Sequence, residues 1–399
     1  MRTAIALLCG TVVWAAGAAG QEVKPVVCSP DDALEAASIY ADAGQFGKPA
    51  DANQTVSKLA VVASFMNSTV KAAIDSSKPD VKAPDVLRLD FSGTGKFDTD
   101  SVVPLSNVST QGTSMAATIG PKTLQVKQGD RTIPVTVRGS YYKSDTYRRM
   151  TLTLSTAVEA SCKFGEKTCK VRLIDGTNNL KMADAARPIV SGGRPNYYQA
   201  GDTIAVDTGD GTFTKGVRKS FYGQPVIVGG KAYTVSLSAD GTKVSVEPST
   251  AALGKIQVDQ PVWEAKLVSA KHVTFVSGGK EPVEVPEGNY AIVGYQVRPE
   301  AKSPAMLGGR GPTDKQGRPV LLAVAAGGVT ALAIGAPLKA VVEPTQTDDM
   351  VRLSLALTDA AGGRISSLAN NDGTLPPPPK VKVVDDQGKT VYEKTLEYG

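Results

Sequence analysis

The residues best suited to chemistry in this sequence lie in short acidic turns that contain glycine. The fullest is Leu89-Asp90-Phe91-Ser92-Gly93-Thr94-Gly95-Lys96-Phe97-Asp98-Thr99-Asp100. Counted from Asp90, oxygen-bearing side chains fall at the first, third, fifth and ninth positions: Asp90, Ser92, Thr94 and Asp98. Gly95 takes the sixth, where an EF-hand-type calcium loop makes its sharp turn. Ser101 stands where that loop needs a bidentate Glu, and Ser and Thr replace the middle acids. With so few charges, Ca2+ would be held in about the millimolar range of extracellular modules. The competing reading is an acidic turn between two strands. A tighter relative, Ala205-Val206-Asp207-Thr208-Gly209-Asp210-Gly211-Thr212-Phe213, offers Asp207 and Asp210 to a shared cation, again without a terminal Glu. Ca2+ is the only cofactor these spacings suggest.

Other chemistries lack their residues. The single His, His272, rules out two-His zinc motifs. No Gly-x-Ser-x-Gly elbow accompanies it, so a triad is not supported, and strand alternation reads it as a surface histidine. The glycine pairs at Gly192, Gly229, Gly308 and Gly362 lack a phosphate-loop Lys-Ser/Thr and read as turns. Asp348-Asp349 and Asp385-Asp386 sit in turn-like settings, and adjacent acids alone do not make a glycosidase. Aromatic residues are 6% of the chain, too sparse for stacking platforms for sugars or single-stranded nucleic acid. The net charge of +5 comes from 44 basic and 39 acidic residues, a mixed surface rather than a nucleic-acid footprint. No catalytic constellation emerges, so a non-enzyme is expected.

Residues 1–20 carry a basic start at Arg2, an apolar run from Ala4 to Ala16, and small residues up to Gly20. This is the pattern of a secretory signal peptide, cleaved before Gln21. The run is too short to span a bilayer, and no other stretch qualifies as a transmembrane span. Cleavage removes Cys9 and leaves Cys28, Cys162 and Cys169 in a compartment that permits disulfides. A two-residue turn at Gly165-Glu166 would set Cys162 opposite Cys169, at a separation a disulfide accepts. The rival is Cys28 bridging to one of them. Asn53, Asn67 and Asn107 begin Asn-x-Ser/Thr sequons, which matter only in a glycosylating host.

The elements that must position these residues read as mainly β. Ser29-Pro30-Asp31-Asp32 has the composition of a helix start, and apolar spacing predicts helices over Ala33–Ala43 and Val56–Ile74. From residue 85 the period changes to two, as in Ile133, Val135 and Val137, or Val171 and Leu173, with Gly/Asp turns between runs. No strand is followed by a long amphipathic helix, which disfavours a parallel sheet. The expectation is tandem antiparallel β-sandwich domains behind a short helical N-terminal segment. The divisions are a signal peptide at 1–20, a helical segment and linker at 21–84, and one or two sandwich modules at 85–297. A linker at 298–319 and a C-terminal sandwich at 320–399 complete it. The tetraproline Pro376–Pro379 reads as an extended lead-in to the last hairpin.

Two segments carry a resemblance. One runs from Gly223-Gln224-Pro225-Val226 through Gly230-Lys231-Ala232-Tyr233 to Ser238-Ala239-Asp240-Gly241 and Val244-Ser245-Val246. The other runs from Gly335-Ala336-Pro337-Leu338 through Pro377-Pro378-Pro379 to Gly388-Lys389 and Glu397-Tyr398-Gly399. Together they resemble secreted multi-domain β-sandwich proteins of unknown function from planctomycete-type bacteria, over residues 85–399. The resemblance implies export and β architecture, and no catalytic residues. The function expected is an exported, non-enzymatic structural or adhesive protein of the envelope or extracellular space, with a protein or glycan partner there and no nucleic acid. The alternatives are a weakly Ca2+-binding recognition module using Asp90 and Asp98, and a hydrolase whose carboxylates converge only in the fold.

Overall fold

The computed structural model describes residues 20–47, 61–65, 68–78, 83–97, 100–300, 302–348, 350–370 and 372–396. Residues 1–19, within the stretch read as a signal peptide, and Asn53, Asn67 and Asp98 therefore lie outside the described residues. The fold is mainly β, with antiparallel pairing almost throughout. Among the described residues, no helix is long and apolar enough to cross a membrane.

Among the described residues the expected helical N-terminal segment is not formed. Ser29 does cap a turn: its hydroxyl accepts from the Asp31 N–H at 3.2 Å, and its own N–H donates to Asp32 Oδ2 at 2.9 Å. That turn is a 3-10 turn over Pro30–Asp32, and Ala33 leaves it extended, with φ −70° and ψ 152°. Asp31 is held by Arg138 at 2.8 Å and Asp32 by Arg172 at 3.4 Å, so the cap is tied to strands and the chain runs on as one. The second predicted helix is replaced, where described, by strands Val61–Ser64 and Lys71–Asp75. The latter lies between two other strands and is buried along most of its length, so its near-continuous apolar run imitates helical spacing.

Among the described residues the largest sheet has nine strands. Their order is Ile39–Asp42, Arg148–Ser155, Arg131–Lys143, Ser114–Gln128, Val102–Gln111, Val86–Asp90, Lys71–Asp75, Val61–Ser64 and Phe46–Gly47. The first and last are consecutive in the chain, joined by the 3-10 turn Ala43–Gln45. The sheet must therefore curl until its edges lie one turn apart. Its inward side chains, including Leu87, Ile119, Val135 and Leu152, fill a single core. Tyr141 meets Phe46 edge-on across this seam, with ring centroids 6.3 Å apart.

Two further cores lie between pairs of sheets. A five-stranded sheet, running from Val217–Phe221 at one edge to Lys24–Val26 at the other, shares a core with the four-stranded sheet of Val226–Val228, Lys231–Leu237, Lys243–Pro248 and Gln21–Glu22. Leu173, Val206, Tyr233 and Val244 meet there. A six-stranded sheet begins at the edge strand Val273–Gly278 and continues through Val262–Val268 and Gly288–Arg298. It shares a core around Trp263 and Tyr290 with the three-stranded sheet of Val283–Pro286, Leu253–Gln257 and Val329–Ala331.

The C-terminal strands are distributed differently from expectation. Leu322–Val324 and Val329–Ala331 join the sheets around Trp263. Met306–Gly309, inside the stretch read as a linker, is a strand that pairs with Gly288–Arg298 and Ile365–Ala369. Lys339–Thr347 with Met350–Thr358, and Lys380–Val384 with Thr390–Thr395, each form a two-stranded hairpin.

One loop, residues 175–186, touches several cores. Ile174 precedes it in one cluster, Leu180 enters the core of the nine-stranded sheet, and Ala186 enters a further cluster with Tyr198 and Phe221. Asn178 staples the loop down: its Oδ1 accepts from Leu154 N–H at 2.6 Å and its Nδ2 donates to Leu152 C=O at 3.0 Å. Both groups are buried. Asn178→Ala strands them and is expected to cost about 2–3 kcal/mol, read as a lowered urea midpoint.

Candidate functional site

A cleft of about 1520 Å³ opens where the outer face of the six-stranded sheet meets the five-stranded sheet. Its floor carries alternate residues of neighbouring strands. Ser277 lies opposite Glu264, which lies opposite Gln296, and Phe275 lies opposite Lys266. One wall is the Val217–Phe221 strand with Arg218 and Lys219; another is the hairpin Arg187–Ser191/Arg194–Gln199, which among the described residues pairs with no other sheet. The far rim carries Arg310 and Arg318.

The hairpin is held at both ends. Near its tip, Arg194 donates to Asp314 Oδ2 at 3.4 Å and to the Pro319 carbonyl at 3.0 Å. Near its root, Glu35 Oε1 accepts from both Tyr198 OH and Lys266 Nζ. Burial, and then the Glu35 carboxylate beside it, push the Tyr198 hydroxyl well above its ordinary pKa. Glu35 thus joins the N-terminal segment, the hairpin and the cleft floor in one contact. Lys219 donates to the Asp32 carbonyl at 2.6 Å, and its burial lowers its pKa. Tyr197, by contrast, is 61% exposed. Among the described residues Arg218, Arg310 and Glu264 line the cleft with no side-chain hydrogen bond, and Glu264 lies near enough to Lys219 to favour its charged form, so polar groups of both signs face the cleft.

Beneath the hairpin root lies a set of buried acids. Asp202 is fully buried; its Oδ1 accepts from the N–H groups of Gly176 (3.0 Å) and Thr177 (3.4 Å), and its Oδ2 from that of Asp184 (2.8 Å). Gly201 lets the strands close in, since a Cβ there would collide with the Ala186 and Asp184 backbone. Asp175 accepts from Asn178 N–H at 2.7 Å and Leu180 N–H at 2.6 Å. Burial raises the Asp175 pKa to about 6; burial and then the Asp175 charge raise that of Asp202 to about 7.

In an unfolded chain both acids ionise near pH 4. The folded state therefore holds protons that the unfolded state has released. The stability this pair contributes is full below about pH 4 and is lost as pH rises through 6 and 7. We expect Asp202→Asn to flatten the slope of stability between pH 5 and 8, measured by urea unfolding at each pH.

The acidic turns singled out in the sequence are elsewhere. Asp90, 1% exposed, closes its own turn. Oδ1 accepts from Ser92 N–H (2.9 Å), Ser92 Oγ (2.6 Å) and Gly93 N–H (3.0 Å), and Oδ2 from Gly95 N–H (2.6 Å). Ser92 Oγ and Thr94 Oγ1 are 2.9 Å apart. Asp90, Ser92 and Thr94 thus converge as a hydrogen-bonded turn. Asp207 does likewise, accepting from Gly209 N–H at 2.7 Å and Phe213 N–H at 2.6 Å, while Asp210 bonds Thr212 in an adjoining turn. Burial acts to raise the Asp207 pKa, but the N–H groups of Phe213, Gly209 and Gly211 outweigh it and hold it low. Among the described residues no group of three His, Cys, Asp or Glu is placed to hold a metal. The same device recurs at Asp359, where Gly363 N–H donates at 2.7 Å.

Cys162 does face Cys169 across its hairpin, as the turn spacing predicts. Both are buried free thiols, as is Cys28. Burial pushes Cys28 and Cys162 up to about 11, and raises Cys169. His272 sits half-buried in a turn, not on a surface strand; its N–H donates to Ser269 Oγ at 2.8 Å, and burial lowers its pKa.

Compared with protein-family models, curated proteins and solved structures, the chain matches none. The cleft residues Glu35, Tyr198 and Lys266 escaped sequence reading because 163 residues separate the first two and 231 the first and last. The nearest signal is the motif Gly223-Gln224-Pro225, which lies beside the cleft.

Proposed function

We propose that this is an exported, non-enzymatic binding protein of the envelope or extracellular space, and that it holds its partner in the cleft described above. The observation that carries this reading is the cleft itself: large, walled by a hairpin latched at both ends, and lined by Arg218, Arg310 and Glu264, which among the described residues have no side-chain hydrogen bond. Such convergent, unspent polar groups in a concave site favour recognition. Glu35, a carboxylate lining the cleft, is committed to Tyr198 and Lys266, which favours binding over hydrolysis. A tandem sandwich organisation belongs to the same proposal, supported by the paired sheets around Tyr233 and around Trp263. For Ca2+, the Asp90 turn supports a structural carboxylate more than a ligand.

Two measurements test this reading. The mature chain from Gln21 onward is incubated with envelope fractions, beside a variant carrying Tyr197→Ala and Arg218→Ala. Both residues are exposed, so the variant should melt like the parent while capturing at least about tenfold less, the scale of one or two lost contacts. Equal capture by both proteins would remove the cleft from the function. Export would also oxidise the facing thiols Cys162 and Cys169 to a disulfide that this structure, with both thiols free, does not contain. Alkylation of denatured, unreduced protein recovered from its native compartment should then label Cys28 alone; labelling of all three thiols would count against an oxidising destination.

A further inference from the structure

We infer that the cleft takes its partner as an extended peptide segment that pairs with the Val273–Gly278 strand as an added strand. The inference rests on the cleft being the binding site and names what fills it.

Among the described residues Val273–Gly278 is the terminal strand of its sheet and pairs only with Val262–Val268. Residues 274–279 line the cleft. The backbone directions follow from the turn before it. Ser269 N–H donates to the His272 carbonyl at 2.8 Å, which makes that pair a hydrogen-bonded one. Pairs along an antiparallel ladder alternate, so Thr274 and Val276 spend their backbone groups on the neighbouring strand, whereas Val273, Phe275 and Ser277 point theirs outward. An independent bond agrees: Val273 N–H donates outward to Gln224 Oε1 at 3.1 Å. Among the described residues the N–H groups of Phe275 and Ser277 have no partner. They form a row spaced to match another polypeptide backbone.

The facing wall repeats the arrangement. Val217–Phe221 is the terminal strand of the five-stranded sheet, and its bonding with Thr203–Asp207 leaves the backbone groups of Val217 and Lys219 turned outward. The two edges meet at Phe221 and Val273, which are buried together, and from there both line the cleft.

The sequence of this edge sharpens the argument. Natural sheets guard open edges with Lys, Pro, bulges or a covering element. Val273-Thr274-Phe275-Val276-Ser277-Gly278 has no charge and no proline, and its register is unbroken. An edge of this kind inside a cleft is guarded by its walls and remains open to a strand that can enter. A saccharide would instead want stacked aromatic rings, and Tyr197 is the one large exposed aromatic residue among those lining the cleft.

The test uses the mature chain and a probe peptide: an acetylated, amidated octapeptide of alternating Val and Ser. Its counterpart is N-methylated at every residue, so that it keeps the side chains but loses the donors, and is crowded, along both edges. We expect the unmethylated peptide to slow amide exchange at Phe275 and Ser277 about tenfold, as a gained hydrogen bond would, and the methylated one to leave it unchanged. Ser277→Pro removes a donor that nothing in the fold uses, so it should abolish the protection at Phe275 without lowering the melting temperature, while Ser277→Ala keeps it. No protection at millimolar peptide, or equal protection by the methylated form, overturns the strand-pairing inference. Envelope capture separates the two readings. If Tyr197→Ala/Arg218→Ala loses capture and Ser277→Pro retains it, the cleft binds but strand pairing is wrong. If neither variant loses capture, the cleft reading itself fails.

Discussion

A fully buried carboxylate, that of Asp202, holds the molecule's separate cores in register. Three backbone N–H groups from both arms of the 175–186 loop converge on it. From that point hydrogen bonds run onward: Tyr222 N–H to the Asp202 carbonyl, Ala186 N–H to the Tyr222 carbonyl, Gln224 Nε2 to the Ala186 carbonyl, and Val273 N–H to Gln224 Oε1. That path starts beside the core of the nine-stranded sheet and ends at the edge strand of the cleft. An acid is a costly choice for a buried joint, because burial penalises its charged form. It is retained where several N–H groups must be satisfied at one place, which a carboxylate with two oxygens does compactly.

The same economy explains the acidic turns. Asp90, Asp175, Asp207 and Asp359 each accept N–H groups from the residues that follow them. In a chain made almost wholly of strands, every reversal leaves backbone donors unpaired, and buried donors must find acceptors. A calcium loop and a self-closing Asp turn begin from the same residues: an acid, small hydroxyl side chains and a glycine. What separates them is whether the carboxylate oxygens face outward to a cation or inward to the backbone, and at Asp90 and Asp207 they face inward.

Much of the architecture was legible where one face of a strand is buried and the other wet. The hairpin at Gly129-Asp130, the alternation of Met150, Leu152 and Leu154, and the pairing of Cys162 with Cys169 all follow from a period of two and a short turn. The N-terminal segment misled for a physical reason. Ser29 and Asp32 do cap a turn, but local capping is worth little against the pairing of Ile39–Asp42 with Arg148–Ser155. Lys71–Asp75 is buried on both faces, so it shows no alternation to read. The sheets that Leu322–Val324 and Val329–Ala331 join were not legible, because their pairing partners lie far off in the chain.

The sequence alone determined local matters: the β class from the period of its apolar residues, the positions of turns from Gly and Asp, and the shortage of His and aromatic residues that narrows the chemistry. Each depends on neighbours within a few residues, so it can be read in one dimension. Only the tertiary structure decided that the nine-stranded sheet curls to bring its edges together, that Asp202 and Asp175 share one buried site, and that Glu35, Tyr198 and Lys266 meet at one cleft. Those outcomes depend on which strand becomes an edge and which donor is left unpaired. Such properties belong to the whole set of pairings, and no local stretch of sequence contains them.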